Sequence, residues 1–223
     1  VDMIVQNISE KDYDDAHPGA VTDMTFSCPI NQVERAKKAM EDAKAAGLIK
    51  YDELIIDTDP GADDVVALLF ALASPEELNI RALTAVAGNV RLDKTSRNAR
   101  LAREWAGREE VPVYAGAPKP LLRTPIYAEN IHGKEGLSGV TVHEPKKGLA
   151  EGNAVNYLID TLKKAKPHSI TIAMLGPQTN LALALKLDPT LPGRIARLVV
   201  MGGAVSAHGN ISAAAEFNVA FDP

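Results

Sequence analysis

From Glu53 onward, short apolar runs alternate with stretches that have the residue pattern of amphipathic helices. Because the runs are apolar on both faces, they are typical of strands in a parallel sheet that helices cover on each side. The predicted strands lie at residues 54–56, 80–87, 112–114, 169–174 and 197–201. The predicted helices lie at residues 63–72, 93–106, 153–164 and 179–187, and in the second of them Ala99, Ala102 and Trp105 should face the core. The sequence therefore predicts an α/β, Rossmann-like fold with an open, mainly parallel sheet and helices on both faces.

The first fifty residues have a different character. Residues 7–25 are polar and acidic, which predicts a loop or arm. Residues 32–46 are rich in helix formers and follow the capping pair Asn31 and Glu34, so we predict one surface helix there. We therefore divide the chain into an N-terminal arm with one helix, residues 1–50, and one larger domain, residues 51–223.

Composition excludes several classes of protein. The chain of 223 residues has 24 Lys and Arg against 29 Asp and Glu, without a basic cluster, so we expect no nucleic-acid or membrane partner. The longest apolar run, residues 65–73, is far shorter than the roughly 20 residues of a membrane-spanning helix. The single cysteine, Cys28, excludes an internal disulfide and any cysteine-based zinc cage. With no secretory signal evident, we expect a cytoplasmic protein.

Four carboxylates follow the first predicted strand, in the segment Asp57-Thr58-Asp59-Pro60-Gly61-Ala62-Asp63-Asp64. In open α/β sheets, ligands bind at the carboxyl ends of the strands, so these acids are expected in the functional crevice. Two unit charges about 4 Å apart repel by roughly 4 kcal/mol at an effective dielectric constant near 20. An all-oxygen cluster without cysteine or paired histidine suits a hard cation, Ca²⁺ or Mg²⁺.

Two other interpretations of the acidic segment remain open. It is compatible with a simple acidic cap on the helix that follows. An Asp-x-Asp pair after a first strand also occurs in phosphohydrolases of the haloacid-dehalogenase type, in which one Asp is the nucleophile. The hydroxyl residue expected shortly after the second Asp is absent, and Pro60-Gly61 stands there instead.

Together with other motifs in order along the chain, this segment resembles the inosine–uridine-preferring nucleoside hydrolases. The resemblance extends from about Glu53 to Pro223. Its further motifs are Ala87-Gly88-Asn89, Ile131-His132-Gly133, Leu175-Gly176-Pro177, Thr179-Asn180, Met201-Gly202-Gly203, Gly209-Asn210 and Ala215-Glu216-Phe217-Asn218. The resemblance implies an enzyme that cleaves the N-glycosidic bond of ribonucleosides with a Ca²⁺-bound water, in purine and pyrimidine salvage.

The resemblance also implies roles for individual residues. Asp59 and Asp64, through their carboxylates, and Leu175, through its main-chain carbonyl, would bind the calcium ion. Asp59 and Asn89 would be catalytic, with Asp59 as the general base, and Asp57 would support the metal ligands from behind. The substrate would contact Asp63, Asn89, His132, Met201, Asn210, Glu216 and Asn218.

The sequence is compatible with three functions. The first is hydrolysis of a small ribonucleoside by a homo-oligomer, and the others are a catalytically inactive nucleoside- or ribose-binding protein and a phosphohydrolase. Members of the family continue past the position that matches Pro223, and a later His-Asp pair supplies a calcium ligand and a leaving-group acid. We therefore expect the turnover of this chain to be severely reduced.

Overall fold

The computed structural model describes residues 53–204 and 208–223. The predicted arm and surface helix in residues 1–50, and Cys28, lie outside the described residues, so the division at residue 50 stays a prediction. The described elements follow in chain order: β1 (Glu53–Thr58), α1 (Ala62–Leu72), β2 (Ile80–Ala85), α2 (Leu92–Trp105), β3 (Val113–Ala115), α3 (Glu129–His132), α4 (Ala154–Lys164), β4 (Ile170–Met174), α5 (Thr179–Leu187), a 3₁₀ turn (Leu191–Arg194), β5 (Ile195–Val200) and α6 (Phe217–Phe221).

The five strands of the described residues form one sheet in the order β3-β2-β1-β4-β5, and every pairing in it is parallel. This arrangement confirms the predicted α/β class. The chain adds β2 and β3 on one side of β1 and then crosses to add β4 and β5 on the other. β1 and β4 therefore flank the point where the direction of winding reverses, and a crevice forms there at the carboxyl ends of the strands.

Alternate residues of the central strand β1 enter two separate apolar clusters. Leu54 and Ile56 pack with residues of α1 and α2, whereas Ile55 packs with residues of α4 and α5. Successive side chains of a strand point to opposite faces, so these clusters lie on the two sides of the sheet. Helices cover both faces, as the apolar pattern of the strands predicts.

The burial predicted for α2 is confirmed at two positions and wrong at the third. Ala99 and Ala102 are fully buried, but Trp105 is 40% exposed. Trp105 is the last residue of α2, and in this last turn Ala102 and Arg103 are buried instead. The guanidinium of Arg103 donates to the carbonyls of Val111 and Lys147, so a charged side chain occupies a position that hydrophobicity alone does not identify.

Two short helices were not predicted. α3 lies between β3 and α4, where no helix or strand was predicted, and α6 follows β5 close to the last described residue. Both are about one turn long, too short to give a periodic apolar pattern. Among the described residues, no helix combines the length and the hydropathy required to cross a membrane.

Candidate active site

The acidic segment lies at the carboxyl end of β1 and is folded by hydrogen bonds of its own. Asp64 accepts from the hydroxyl of Thr58 at 2.7 Å and from the backbone N–H of Gly61 at 3.3 Å. These contacts cap the start of α1 and turn the Asp64 carboxylate back over the end of the strand. Asp59 and Asp64 are buried, whereas the Asp63 side chain is 57% exposed.

Asn89, which follows β2, joins the two buried carboxylates. Its backbone N–H donates to Asp59 Oδ2 at 2.7 Å, and its side-chain amide donates to Asp59 O at 3.1 Å and Asp64 Oδ2 at 3.3 Å. The backbone also approaches Asp59 closely at two glycines. A Cβ atom at Gly88 would lie 2.0 Å from Asp59 Oδ2, and one at Gly176 would lie 2.5 Å from Asp59 Oδ1. Only glycine fits on either side of this carboxylate.

Within the part of the chain that the structure describes, the buried carboxyls of Asp59 and Asp64 lack a positively charged partner. Asp59 Oδ1 is buried and has no hydrogen-bond partner. Burial raises the pKa of Asp59 well above its usual range, and the nearby charge of Asp64 raises it further. Burial likewise raises the pKa of Asp64 to about 7, and the charge of Asp63 contributes. Each carboxyl therefore favours a bound proton or a neighbouring cation over isolated negative charge.

A third buried carboxyl, that of Asp57, lies beneath this pair. Asp57 Oδ2 accepts from the Thr84 hydroxyl at 2.6 Å and from the Asn180 side-chain amide at 2.8 Å. Burial raises the pKa of Asp57 to about 7. Asn180 also donates to Ala85 O at 3.2 Å and accepts from Ala117 N–H at 2.7 Å, so it connects β1, β2 and the segment after β3.

Sequence reasoning did not assign a role to Thr84 or Asn180. Thr84 is a buried polar residue of β2, whose other polar residue, Arg81, is exposed, and a buried polar residue needs a partner. Asn180 belongs to a motif that contributed to the family resemblance, but sequence spacing does not reveal its partner. The hydrogen bond that joins it to Asp57 spans 123 positions of the chain.

Replacing Asn180 by Ala is expected to reduce the free energy of unfolding by about 3 kcal/mol. The substitution removes a donor to Asp57 and leaves the buried N–H of Ala117 without an acceptor, and an unsatisfied buried group costs about 1–3 kcal/mol. Urea unfolding followed by circular dichroism measures the change. The matched control is Asn156→Ala on the exposed side of α4, expected within about 0.5 kcal/mol of the unchanged chain. A similar small loss for both variants would contradict the prediction.

The other side of the crevice is formed by the segments that follow β4 and β5. The Asn218 side-chain amide donates to Leu175 O at 2.8 Å and to Met201 O at 3.1 Å. The Glu216 carboxylate accepts from the backbone N–H groups of Asn218 at 2.9 Å and Gly203 at 3.1 Å. These bonds fix Glu216 and Asn218 at the start of α6, beside the main chain of Leu175. Leu175 in turn adjoins Asp59 through Gly176.

The remaining predicted site residues are on the rim. The His132 ring accepts from Ala62 N–H at 3.4 Å, and its Nδ1 lies 3.9 Å from Asp63 Oδ1. Met201 is 48% exposed. The exposed Asn210 accepts from the backbone N–H of Phe217 at 2.7 Å, which ties it to α6. The structure thus brings the predicted residues to one end of the sheet, with Asp63, Met201 and Asn210 at its exposed margin.

The donor atoms at the centre of the site suit a hard cation. No group of three or more His, Cys, Asp and Glu side chains within residues 53–204 and 208–223 is arranged to hold a metal. Two carboxylates, Asp59 and Asp64, and the carbonyl of Leu175 nevertheless offer oxygen atoms only, which Ca²⁺ and Mg²⁺ prefer. The unpartnered Asp59 Oδ1 is the observation that fits such an ion best, because a buried carboxylate oxygen requires a donor or a cation.

Comparison with known proteins identifies one family. The model of the inosine-uridine preferring nucleoside hydrolases matches residues 54–223. A pyrimidine-specific ribonucleoside hydrolase, RihA, of Salmonella schwarzengrund is 47% identical over 170 residues, which is 76% of this chain and 54% of the relative.

Two solved structures are similar to the described fold. A plant nucleoside hydrolase superposes with a TM-score of 0.72 at 40% identity, over 78% of this chain and 55% of its own. A purine-preferring ribonucleoside hydrolase from Gardnerella vaginalis superposes with a TM-score of 0.72 at 34% identity, over 77% of this chain and 55% of its own. The chain therefore spans about half the length of the relatives that it matches.

Proposed function

The chain belongs to the inosine-uridine preferring nucleoside hydrolase family, and from this premise we propose that it hydrolyses the N-glycosidic bond of ribonucleosides to ribose and free base. The observation that carries the proposal is the buried pair Asp59 and Asp64, which Asn89 holds together while Asp59 Oδ1 stays without a partner. A carboxylate in this state is suited to accept a proton from an attacking water.

We propose that Asp59, Asp64 and the carbonyl of Leu175 hold Ca²⁺. When bound, such a cation lowers the pKa of a water molecule and orients it. The chain's own residues then have separate tasks. The Asp59 carboxylate would accept the proton of the attacking water. Asp64, fixed by Thr58 and Gly61, contributes a second negative charge at an unchanging position.

Cleavage of a glycosidic bond develops positive charge on the sugar, in a state that resembles an oxocarbenium ion. Asp63, Glu216, Asn89 and Asn218 supply carboxylate and amide groups around the crevice and would bind the ribose hydroxyls. Glu216 and Asn218 are held by hydrogen bonds to the backbone of α6 and the segments after β4 and β5. Groups oriented before the reaction stabilise this charge without reorganising, which lowers the barrier.

The expected readout is release of reducing sugar from inosine and uridine by the full 223-residue chain, dependent on added Ca²⁺ and lost on chelation. Saturable ribose binding without release would favour the second function, a catalytically inactive nucleoside- or ribose-binding protein. Phosphate release from a phosphoester would favour the phosphohydrolase instead. That third function lacks support at Pro60-Gly61, where the haloacid-dehalogenase type carries a hydroxyl side chain.

The proposed activity also implies a partner, an assembly and a location in the cell. We propose a small ribonucleoside as the partner, a homo-oligomeric assembly, a cytoplasmic location and a role in purine and pyrimidine salvage. The formal net charge of −5 supports the expectation that nucleic acid and anionic membranes are not partners. Sedimentation equilibrium of the full chain tests the assembly, and a monomer at all concentrations would contradict it.

A further inference from the structure

The segment from Ala128 to Leu137 carries His132 and contacts both Asn89 and residues 57–64, which we call the acidic turn. At its start, the backbone N–H of Ala128 donates to Asn89 O at 2.8 Å. In its middle, the His132 ring lies so close to Gly61 that a Cβ atom there would be 2.6 Å from His132 Nδ1. The position of His132 relative to the acids therefore depends on how this segment, here called the His132 segment, is held.

Its far end is held by Asn98, a buried residue in the middle of α2. The side-chain amide of Asn98 donates to Pro60 O at 3.1 Å and to Glu135 O at 2.9 Å. Its Oδ1 accepts from the guanidinium of Arg97 at 3.2 Å. One amide group thus binds a carbonyl of the acidic turn and a carbonyl of the His132 segment at the same time.

Neighbouring groups reinforce this connection. Arg97 pairs with the Glu135 carboxylate at 2.7 Å, and Lys94 lies 3.4 Å from the same carboxylate. Gly136 has a φ of +78°, a conformation that favours glycine, and a Cβ atom there would lie 2.7 Å from Asn98 Nδ2. The segment therefore needs glycine at this position in order to reach the amide.

The identity of residue 98 is not explained by the helix. Asparagine is unfavourable in a helix interior, and a buried amide is costly unless its hydrogen bonds are made. The hydrogen bonds that the Asn98 amide donates leave α2 for two other segments, Pro60 and Glu135. Its contribution therefore lies in the connection between those segments.

We propose that Asn98 is a positioning residue that holds the His132 segment against the acidic turn and so determines the contact with the base of a bound nucleoside. The inference rests on the proposed function, in which Asp63 and Asn89 would bind the ribose, and it assigns the base side to His132, a substrate contact implied by the family resemblance. Loss of the amide would free the segment, and the binding-competent arrangement would then be only fractionally populated. Affinity falls in proportion to that fraction.

The first measurement needs no ligand. Hydrogen–deuterium exchange of the backbone N–H groups of Ile131 and Gly136, which donate to Ala128 O and Gly133 O, reports on the order of the segment. In Asn98→Ala we expect their exchange to accelerate at least about tenfold. The control is Ala99→Gly, which weakens α2 at the adjacent buried residue without touching the segment. Equal acceleration in both variants would overturn the proposal.

The second measurement compares two ligands in the presence of Ca²⁺. Pseudouridine has a C–C bond in place of the scissile C–N bond and therefore resists hydrolysis, whereas ribose lacks a base altogether. We expect Asn98→Ala to weaken pseudouridine binding about tenfold and ribose binding less than about threefold, because only the base-side contact depends on the segment. Equal weakening of both ligands would mean a merely structural role and would overturn the proposal.

A second variant guards against loss of folding. Asn98→Asp keeps the shape of the side chain but removes both donors, so the same acceleration of exchange and the same ligand split are expected. Unchanged exchange in this variant would contradict the role of the amide. If the unchanged chain bound neither pseudouridine nor ribose, the proposed function would be wrong, and the positioning role of Asn98 would be decided by exchange alone.

Discussion

Replacing Asp59 by Asn is expected to lower the release of ribose from inosine or uridine at least about a hundredfold, because a general base contributes typically 10²–10⁴-fold. The substitution keeps the size of the side chain and an oxygen that can accept from Asn89 N–H. It removes the proposed proton acceptor and a proposed metal ligand together. The measurement is the rate of reducing-sugar release at saturating nucleoside and Ca²⁺.

Folding of this variant should be preserved, because burial already disfavours the charged form of Asp59. In the absence of Ca²⁺ we therefore expect an unchanged or higher melting temperature, together with the loss of activity. The matched control is Asp93→Asn, an exposed acid in the first turn of α2, which should leave both properties as they are. Retention of more than a tenth of the activity by the Asp59 variant would contradict the role of general base.

The sheet and its larger helices could be predicted because each of these elements is recognisable from the pattern of its own residues. The strands are apolar on both faces, and the helices between them are long enough to show their periodicity. The short helices α3 and α6 depend instead on contacts with distant segments. Glu216 caps α6 and also accepts a hydrogen bond from Gly203 N–H. α3 begins directly after Ala128, whose N–H donates to the carbonyl of Asn89.

The same distinction applies to the site. The acids from Asp57 to Asp64 are adjacent in sequence, so their clustering at the end of a strand could be predicted from the residues themselves. Asn89, Glu216 and Asn218 could be selected only through resemblance to a family. Asn98 and Asn180 were assigned no role, because each is a single amide within a helix whose partners are far away along the chain.

The stability of the metal-free chain is expected to fall as the pH rises from about 4 to above 7. The pKa of Asp57 is raised from 3.8 to about 7 and that of Asp64 likewise, whereas both lie near 3.9 in an unfolded chain. The folded state therefore binds more protons than the unfolded state within this window, and stability decreases with pH. A difference of this size for one buried carboxyl corresponds to a loss on the order of 4 kcal/mol.

Other acids make the stability fall as the pH decreases, but they do so in a lower pH range. The hydroxyl of Thr190 holds the pKa of Asp188 at about 2, so its contribution is lost only as the pH falls from about 4 toward 2. A salt bridge to Arg97 lowers the pKa of Glu135 in the same direction. The window between pH 4 and 7 therefore reports on the buried acids.

Added Ca²⁺ should reverse this trend, because at the proposed site the ion would bind the deprotonated carboxylates of the folded state. Stabilisation by a ligand at 100 times its Kd is about 3 kcal/mol, and protonation of Asp59 and Asp64 weakens the binding at low pH. We expect Ca²⁺ to raise the melting temperature by several degrees at pH 8 and by little at pH 5. Scanning calorimetry of the full chain, with Ca²⁺ or with a chelator at each pH, measures the difference.

Two variants test whether this effect arises at the proposed site. Asp59→Asn removes a ligand and should abolish the Ca²⁺-dependent rise in melting temperature at pH 8. Asp93→Asn removes an exposed carboxylate from the protein and should leave the rise intact. A rise of equal size at pH 5 and pH 8, or one that persists without Asp59, would mean that the ion binds elsewhere. The buried carboxyls would then be neutralised by bound protons rather than by a metal ion.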